Sequence, residues 1–396
     1  MTLTPSLHGV RVLDLTQVMA GPFSTMLLAD LGADVIKVEP PGGDSTRQMP
    51  GAVGTDTPAF TAVNRGKRSV VVDLKSAAGR DILRRLARET DILVENYRPG
   101  VMASLGLDYD TLSAELPRLI YASISGYGQT GPSSRKGGFD LVAQGVSGIM
   151  SVTGEPGRPP AKAGIPITDL GAGLFAVIGI LAALEARHRS GTGQHVDTSL
   201  VDAGVALSVW EATQYFSGGG IPAALGSAHR MNAPYQAFRC ADGYITIGAA
   251  NERTFRRLCT ALGHPEWAAV PEFADNASRV RHHEALASRI EAVTVAKSYA
   301  HWLAVLDEHD VPCGPINDYA HVFADPHVLA RGMVVNVEHP TLGPMRSLGS
   351  PIKMSATPPD ATRRAPLLGE HTDHVLAQAG FDEATIAELR REGIVQ

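Results

Sequence analysis

GVRVLDLTQVMAGPFSTMLLADLGADVIKVEPPGGD, residues 9–44, is the stretch that decides the fold class. VRVLDLT is a short, nearly continuous apolar run, the pattern of a strand buried on both faces. PFSTMLLADLGA reads as a helix closed by Gly32, and DVIKVEP as a second strand ending at Pro40, Pro41, Gly42 and Gly43. Strand, helix and strand in that order form a βαβ unit, which builds a parallel sheet. The pattern continues outward. SVVVDL is followed by SAAGRDILRRLARET, where Ile82, Leu83 and Leu86 recur at helical spacing and Arg84, Arg85 and Arg88 are offset from them. DILVENY and RLIYASISGYG are two further strand-like runs. The class is α/β, with an open parallel sheet. AGPFST stands after the first strand, where a dinucleotide site of the usual kind needs GxGxxG, which speaks against a nicotinamide or flavin enzyme.

A chain of 396 residues suggests two or three domains. Composition shifts at SGGGIP, residues 217–222, which reads as a linker. Beyond it PYQAFRCADGYITIGAA reads as paired strands, and ERTFRRLCTALG and HHEALASRIEAVTVAKSYAHWLAVLDEH as helical. The expected organisation is a large domain over 1–216, a smaller α+β domain over 217–330, and a C-terminal segment over 331–396 that ends in two helices.

With 44% apolar and 19% charged residues the chain reads as soluble and globular. A net charge of −6 offers no basic excess for nucleic acid or for an anionic membrane surface. Gly66-Lys67-Arg68 and Arg135-Lys136 read either as solvated surface cations or as contacts for one phosphorylated small molecule. Cys240, Cys259 and Cys313 are widely spaced and form no CxxC or zinc pattern, and the N-terminus lacks secretory signal features, so a cytoplasmic protein is expected. The most apolar stretch, residues 170–184, is shorter than the ~20 residues that span a bilayer and reads as a buried core helix. HExxH, GxSxG and GxxxxGK[ST] are all missing. His371 and His374 lie three apart on a helix face without an evident third ligand, and no metal is expected.

Ligands of open α/β sheets bind outside the carboxyl ends of the strands. Four such ends carry Gly, Asn or basic residues: AGPF after the first strand, Glu39 to Gly43 after the second, Glu95-Asn96-Tyr97-Arg98 after DILV, and Ser125-Gly126-Tyr127-Gly128. Each is also ordinary turn chemistry, yet together they suit a phosphorylated, adenine-bearing ligand. Asp169 stands where a turn-like segment feeds the long apolar helix. There it is either an N-cap, worth about 1 kcal/mol, or a catalytic carboxylate.

The quoted segments, with NRGKRSVVVDLKSAAGRDILRRLARETDILVENYRPGVM, ASISGYGQTGP, ITDLGAGLFAVIGILAAL and RAPLLGEHT following in order, resemble the class III CoA-transferases (the CaiB/BaiF family) over nearly the whole chain. The resemblance implies a large Rossmann-like domain built from both chain ends, a smaller inserted domain and an interlocked homodimer. It makes Asp169 the catalytic aspartate, which accepts CoA as a thioester and passes it to an acceptor acid. CoA and acyl-CoA are then substrates, with no prosthetic group. The chemistry asks that Asp169 be ionised, near the ordinary aspartate pKa of about 3.9, and that backbone amides stabilise the oxyanions. By position the resemblance implies CoA contacts at Val18, Ala20, Lys75, Asn96 and Tyr97, with Arg98 and Lys136 beside them.

Related α-methylacyl-CoA racemases carry a histidine where this chain has Phe139, in Gly138-Phe139-Asp140. Phenylalanine transfers no proton, so the racemase reading lacks its second base and Phe139 is left to packing or to the pocket wall. Formyl-CoA:oxalate transferases, a further alternative, carry glutamine where Met19 stands and tyrosine in place of Phe139. The loop 225–229 matches the family's glycine lid but has one glycine. GSAHRMNAPYQAFRCADGYITIGAANERTF, VPCGPINDYAHVFADPHV and NVEHPTLG resemble the succinyl-CoA:glutarate branch. That implies a dicarboxylic acid of roughly four to six carbons. His229 and Arg230 are candidates for its distal carboxylate, and Met19, Phe139 and Asp140 for further substrate contacts. Outside enzymology, the alternative is a CoA-binding protein in which Asp169 only caps its helix.

Overall fold

The structure is a computed structural model that describes residues 4–396. The chain forms two compact units, one of residues up to 149, 163–217 and 326–396, the other of 150–162 and 218–325. In the first unit six strands run parallel: β1 (Arg11–Asp14), β2 (Asp34–Glu39), β3 (Arg68–Val71), β4 (Ile92–Glu95), β5 (Ile120–Ser125) and β6 (His195–Ser199). Their order is β3-β2-β1-β4-β5-β6. The chain winds outward in one direction from β1 and in the other from β4. The loops leaving these two neighbours therefore splay apart and open a crevice at the carboxyl edge of the sheet.

Alternation along each strand fills both faces. Val12, Val35, Ile92 and Ile120 lie on one face with the core side of helix Ala20–Asp30 and of the long helix Ile167–Ser190. Leu13, Ile36, Val70 and Leu93 lie on the other with Ile82, Leu83 and Leu86 of helix Ala77–Ala87. The C-terminal segment completes that second face: Val375 and Leu376 of helix Thr372–Gln378 and Ile386 and Leu389 of helix Glu383–Arg391 join the same core. Gly32, at φ +102°, ends the first helix as its sequence position implies. β6 has no counterpart among the strand-like runs picked out by apolar pattern. As an edge strand of sequence HVDTS it buries little and shows only Val196 as a large apolar residue.

The long helix has 24 residues and is long and apolar enough, by length and composition, to cross a membrane. It is core on one side only. Ala172, Ala176, Ile180 and Ala183 are buried, whereas Leu174, Phe175 and Ile178 are exposed, so the expectation of a buried core helix holds for one face. The second unit holds the three-stranded antiparallel sheet β7 (Tyr235–Arg239), β8 (Tyr244–Gly248) and β9 (Cys313–Pro315), packed on helices around Phe238, Ile245, Phe255 and Trp302. Back in the first unit, β10 (Val334–His339) and β11 (Gly343–Leu348) pair antiparallel.

Candidate active site

The crevice at the sheet edge is a cavity of about 320 Å³. The loop after β1 gives it Gln17, Val18, Met19 and Ala20, and the loop after β4 gives Asn96, Tyr97 and Arg98. Ile124, Ser125 and Gly126 come from the end of β5, with Gly138, Phe139, Asp169 and Leu200 closing the wall. Two close backbone approaches make this convergence possible. A Cβ on Gly138 would sit 2.5 Å from Gly126 Cα, so these loops meet only as glycines. A Cβ on Gly173 would sit 2.7 Å from Ala20 O, so the long helix comes close to the first helix one turn after Asp169.

Asp169 lies in the first turn of the long helix, whose N-cap is Pro166. It is therefore not the cap. That role is supplied from another helix, where Asp140 Oδ1 accepts hydrogen bonds from Thr168 N (3.0 Å) and Thr168 Oγ1 (2.7 Å). Gln144, fully buried, donates from Nε2 to Asp140 Oδ2 (2.7 Å) and accepts from Ala163 N through Oε1 (2.8 Å), which ties down the segment leading into the helix. The Asp169 carboxylate itself has no hydrogen-bond partner among the described residues. Burial pushes its pKa up to about 6, and the neighbouring Asp140 charge adds to the displacement. The expectation of an unperturbed carboxylate is thus corrected. Local sequence suggested amides holding the charge; the tertiary structure surrounds it with a low-dielectric wall and a second anion.

Of the positions implied for CoA, Val18, Ala20, Asn96, Tyr97 and Arg98 line the cavity, as do Met19 and Phe139, the latter 73% exposed. Asn96 is already engaged, with Oδ1 accepting from Gln17 N (2.8 Å) and Nδ2 donating to Gln17 O (2.7 Å). It shapes the β1 loop. Tyr97 donates its backbone N–H to Glu95 Oε2 (2.8 Å), a carboxyl that burial pushes up to about 7. Asp140 stands behind the wall, Lys75 and Lys136 are exposed and outside the cavity lining, and His229 and Arg230 belong to the second unit. The Glu39 to Gly43 turn is also outside the lining.

The basic cluster Gly66-Lys67-Arg68 is corrected as well. Lys67 Nζ is fully buried 2.9 Å from Asp14 Oδ2, and Arg68 forks onto both oxygens of Asp34 at 2.8 and 2.5 Å. Neither cation is offered to a ligand. Gln17 and Leu200 are cavity residues that sequence patterns did not single out, whereas Ser125 and Gly126 line it as the fourth strand end implied. Gln17 was findable as the polar residue directly following the first strand.

Against known proteins, the model of CoA-transferase family III matches residues 7–372. The chain is 41% identical over 392 residues to the succinyl-CoA:glutarate CoA-transferase of Homo sapiens, covering 98% of this chain and 90% of that protein. It is 41% identical over 390 residues to the succinyl-CoA:mesaconate CoA-transferase of Haloarcula marismortui, covering 96% of this chain and 98% of the relative. Among solved structures, a CaiB/BaiF family protein from Brucella suis superposes with a TM-score of 0.84 at 41% identity, over 95% of this chain and 100% of that one. A six-stranded parallel sheet with a crevice at its switch point, and these matches over nearly the full length, define a CoA-transferase. The chain belongs to CoA-transferase family III.

Proposed function

We propose that this enzyme moves CoA from succinyl-CoA to a second short dicarboxylic acid, with Asp169 as the covalent carrier. The observation that carries the reading is the Asp169 carboxylate itself, which lines the crevice with neither a cation nor a hydrogen-bond donor upon it among the described residues. A structural carboxylate in that setting is a liability; a nucleophile must be free. One carboxylate oxygen adds to the thioester carbonyl, the C–S bond breaks, and CoA leaves as thiolate from a mixed anhydride. The thiolate adds to the aspartyl carbonyl, the anhydride C–O bond breaks, and succinate departs, leaving an aspartyl-CoA thioester. The acceptor carboxylate runs both steps in reverse. A thioester is replaced by a thioester, so the overall exchange is close to isoenergetic.

Ala20, a cavity residue in the first turn of a helix with no side-chain cap and no acidic residue, supplies an amide for the oxyanions. Phe139 in the cavity wall offers no proton, which leaves the racemase chemistry without a second base. The dicarboxylate class rests on the activities named for the relatives. A homodimer is part of the proposal and is supported by the exposed apolar side chains of Ile178, Val205, Trp210 and Phe216.

The test is incubation with succinyl-CoA followed by intact-mass measurement and peptide mapping. A hydroxylamine-sensitive CoA adduct on the Asp169 peptide is expected. Asp169→Asn is expected to show no adduct and to lose exchange by ~10³-fold or more, the scale of removing a covalent nucleophile. An adduct elsewhere, or exchange retained in Asp169→Asn, overturns the reading. A donor–acceptor matrix that includes formyl-CoA and oxalate then fixes the substrates.

A further inference from the structure

The loop that carries Gln17 to Ala20 into the crevice is gripped from beneath by charges. Lys37 Nζ donates to Thr16 O at 2.8 Å, and Asp14 Oδ1 accepts from Thr16 N at 2.9 Å. Val18 N points at both oxygens of Asp44, at 3.4 and 3.3 Å. On the far side of the loop Lys67 Nζ donates to Pro22 O at 2.9 Å. The four charged groups close on one another as two ion pairs, Lys37–Asp44 at 3.0 Å and Lys67–Asp14 at 2.9 Å, and none of the four side chains retains any exposure.

Such buried pairs are weak contributors to stability, since apolar residues of the same volume commonly serve as well or better. Their placement here has another consequence. Val18, β-branched, has φ +70°, the left-handed region such residues avoid. A strained residue of this kind persists only where its surroundings over-determine it. Asp44 binds the Val18 amide, while Lys37 and Lys67 fix the carbonyls of Thr16 and Pro22 on either side of it. We propose that the buried Asp14–Lys67 and Lys37–Asp44 pairs are a positioning device that holds residue 18 in its left-handed conformation and so presents the Met19–Ala20 edge of the crevice to Asp169. The residues concerned act through the loop and touch no substrate. The proposal deepens the reading of Asp169 as nucleophile, but the conformation of residue 18 can be tested without it.

Crystal structures of Asp44→Asn and of Asp44→Asn/Val18→Gly make that test. Residue 18 is expected to leave the left-handed region in the first and to keep it in the second, because glycine takes positive φ without penalty. Val18 found at positive φ in Asp44→Asn overturns the proposal. Exchange from succinyl-CoA to glutarate supplies a second readout through a double-mutant cycle. Asp44→Asn in the parent protein is expected to lower kcat by ~10-fold, the scale of a left-handed L-residue, with KM little changed. Introduced into Val18→Gly, the same substitution is expected to cost less than ~3-fold. Equal losses in both backgrounds mean that Asp44 does not act through residue 18, and overturn the proposal.

If Asp44→Asn does not fold, Val18→Pro leaves every charge in place yet cannot take positive φ. It is expected to fold with kcat reduced at least as far, and undiminished kcat overturns the proposal. Failure of the nucleophile reading shows separately, as exchange without an adduct on Asp169.

Discussion

The β1 loop and the start of the long helix face the same crevice and treat charge in opposite ways. Beneath the loop, Asp14 is completely buried, and burial alone would raise its pKa. Lys67 and Lys37 override that and hold its carboxyl well below the usual range. At the helix start, Asp169 is less deeply buried, yet burial raises its pKa to about 6, with the Asp140 charge adding to the rise and no cation opposing it. Depth of burial alone therefore does not set the outcome; whether a cation opposes it does. Where charge serves to position, the fold pairs it completely. At Asp169, the nucleophile of the proposed mechanism, the fold leaves the charge bare, ionised at neutral pH.

The largest effect should come from breaking the paired side. Lys67→Met leaves Asp14 with half its compensation, and loss of one partner from a buried pair is expected to cost about 3–5 kcal/mol, read as a lower urea midpoint. If Lys67→Met is as stable as the parent, the pairing is not what holds the loop. On the bare side, the proposed mechanism requires the Asp169 anion, so the rate should rise with pH through about 6 and then level off. Asp140→Asn keeps an oxygen for Thr168 but removes the repelling charge, and should move that acidic limb downward, toward the ordinary aspartate value of 3.8. A limb unmoved by Asp140→Asn would leave burial as the sole cause.

The smallest effect is the most telling in sign. The Asp169 pKa is raised in the folded state, so its favourable protonated form is fully present below about pH 3.8 and is lost as pH rises through about 6. Asp169→Asn has no charge to bury. It should therefore be more stable than the parent at pH 7, by about 1 kcal/mol after allowance for partial exposure, and the gain should vanish below about pH 4. Thermal melts at both pH values check this. A residue serving as a cap would show no such gain.

Much of this was legible in the chain. The alternation of apolar runs with helical periodicity marked five of the six parallel strands by position, and the Gly- and Asn-bearing strand ends pointed to a crevice that Ala20, residues 96–98, Ser125 and Gly126 line, while the Glu39 to Gly43 turn stays outside it. β6 escaped because an edge strand needs little apolar surface to pair. Lys67 illustrates the limit. In sequence it sits between Gly66 and Arg68 and reads as a surface cation or phosphate contact; in space it is the buried partner of Asp14, a residue 53 positions away. Asn96, which reads as a ligand contact, lines the cavity and in addition clamps Gln17 from a segment 79 positions away.

By itself, then, the sequence determined the α/β class, the crevice at the end of β1 and β4, the family and the position of Asp169, because each depends on local periodicity or on residue types in fixed order. Only the tertiary structure decided which charges are paired, which residue is held at positive φ, and why the Asp169 pKa is raised to about 6. Those properties follow from distance and dielectric between segments far apart in the chain, and no local pattern encodes either.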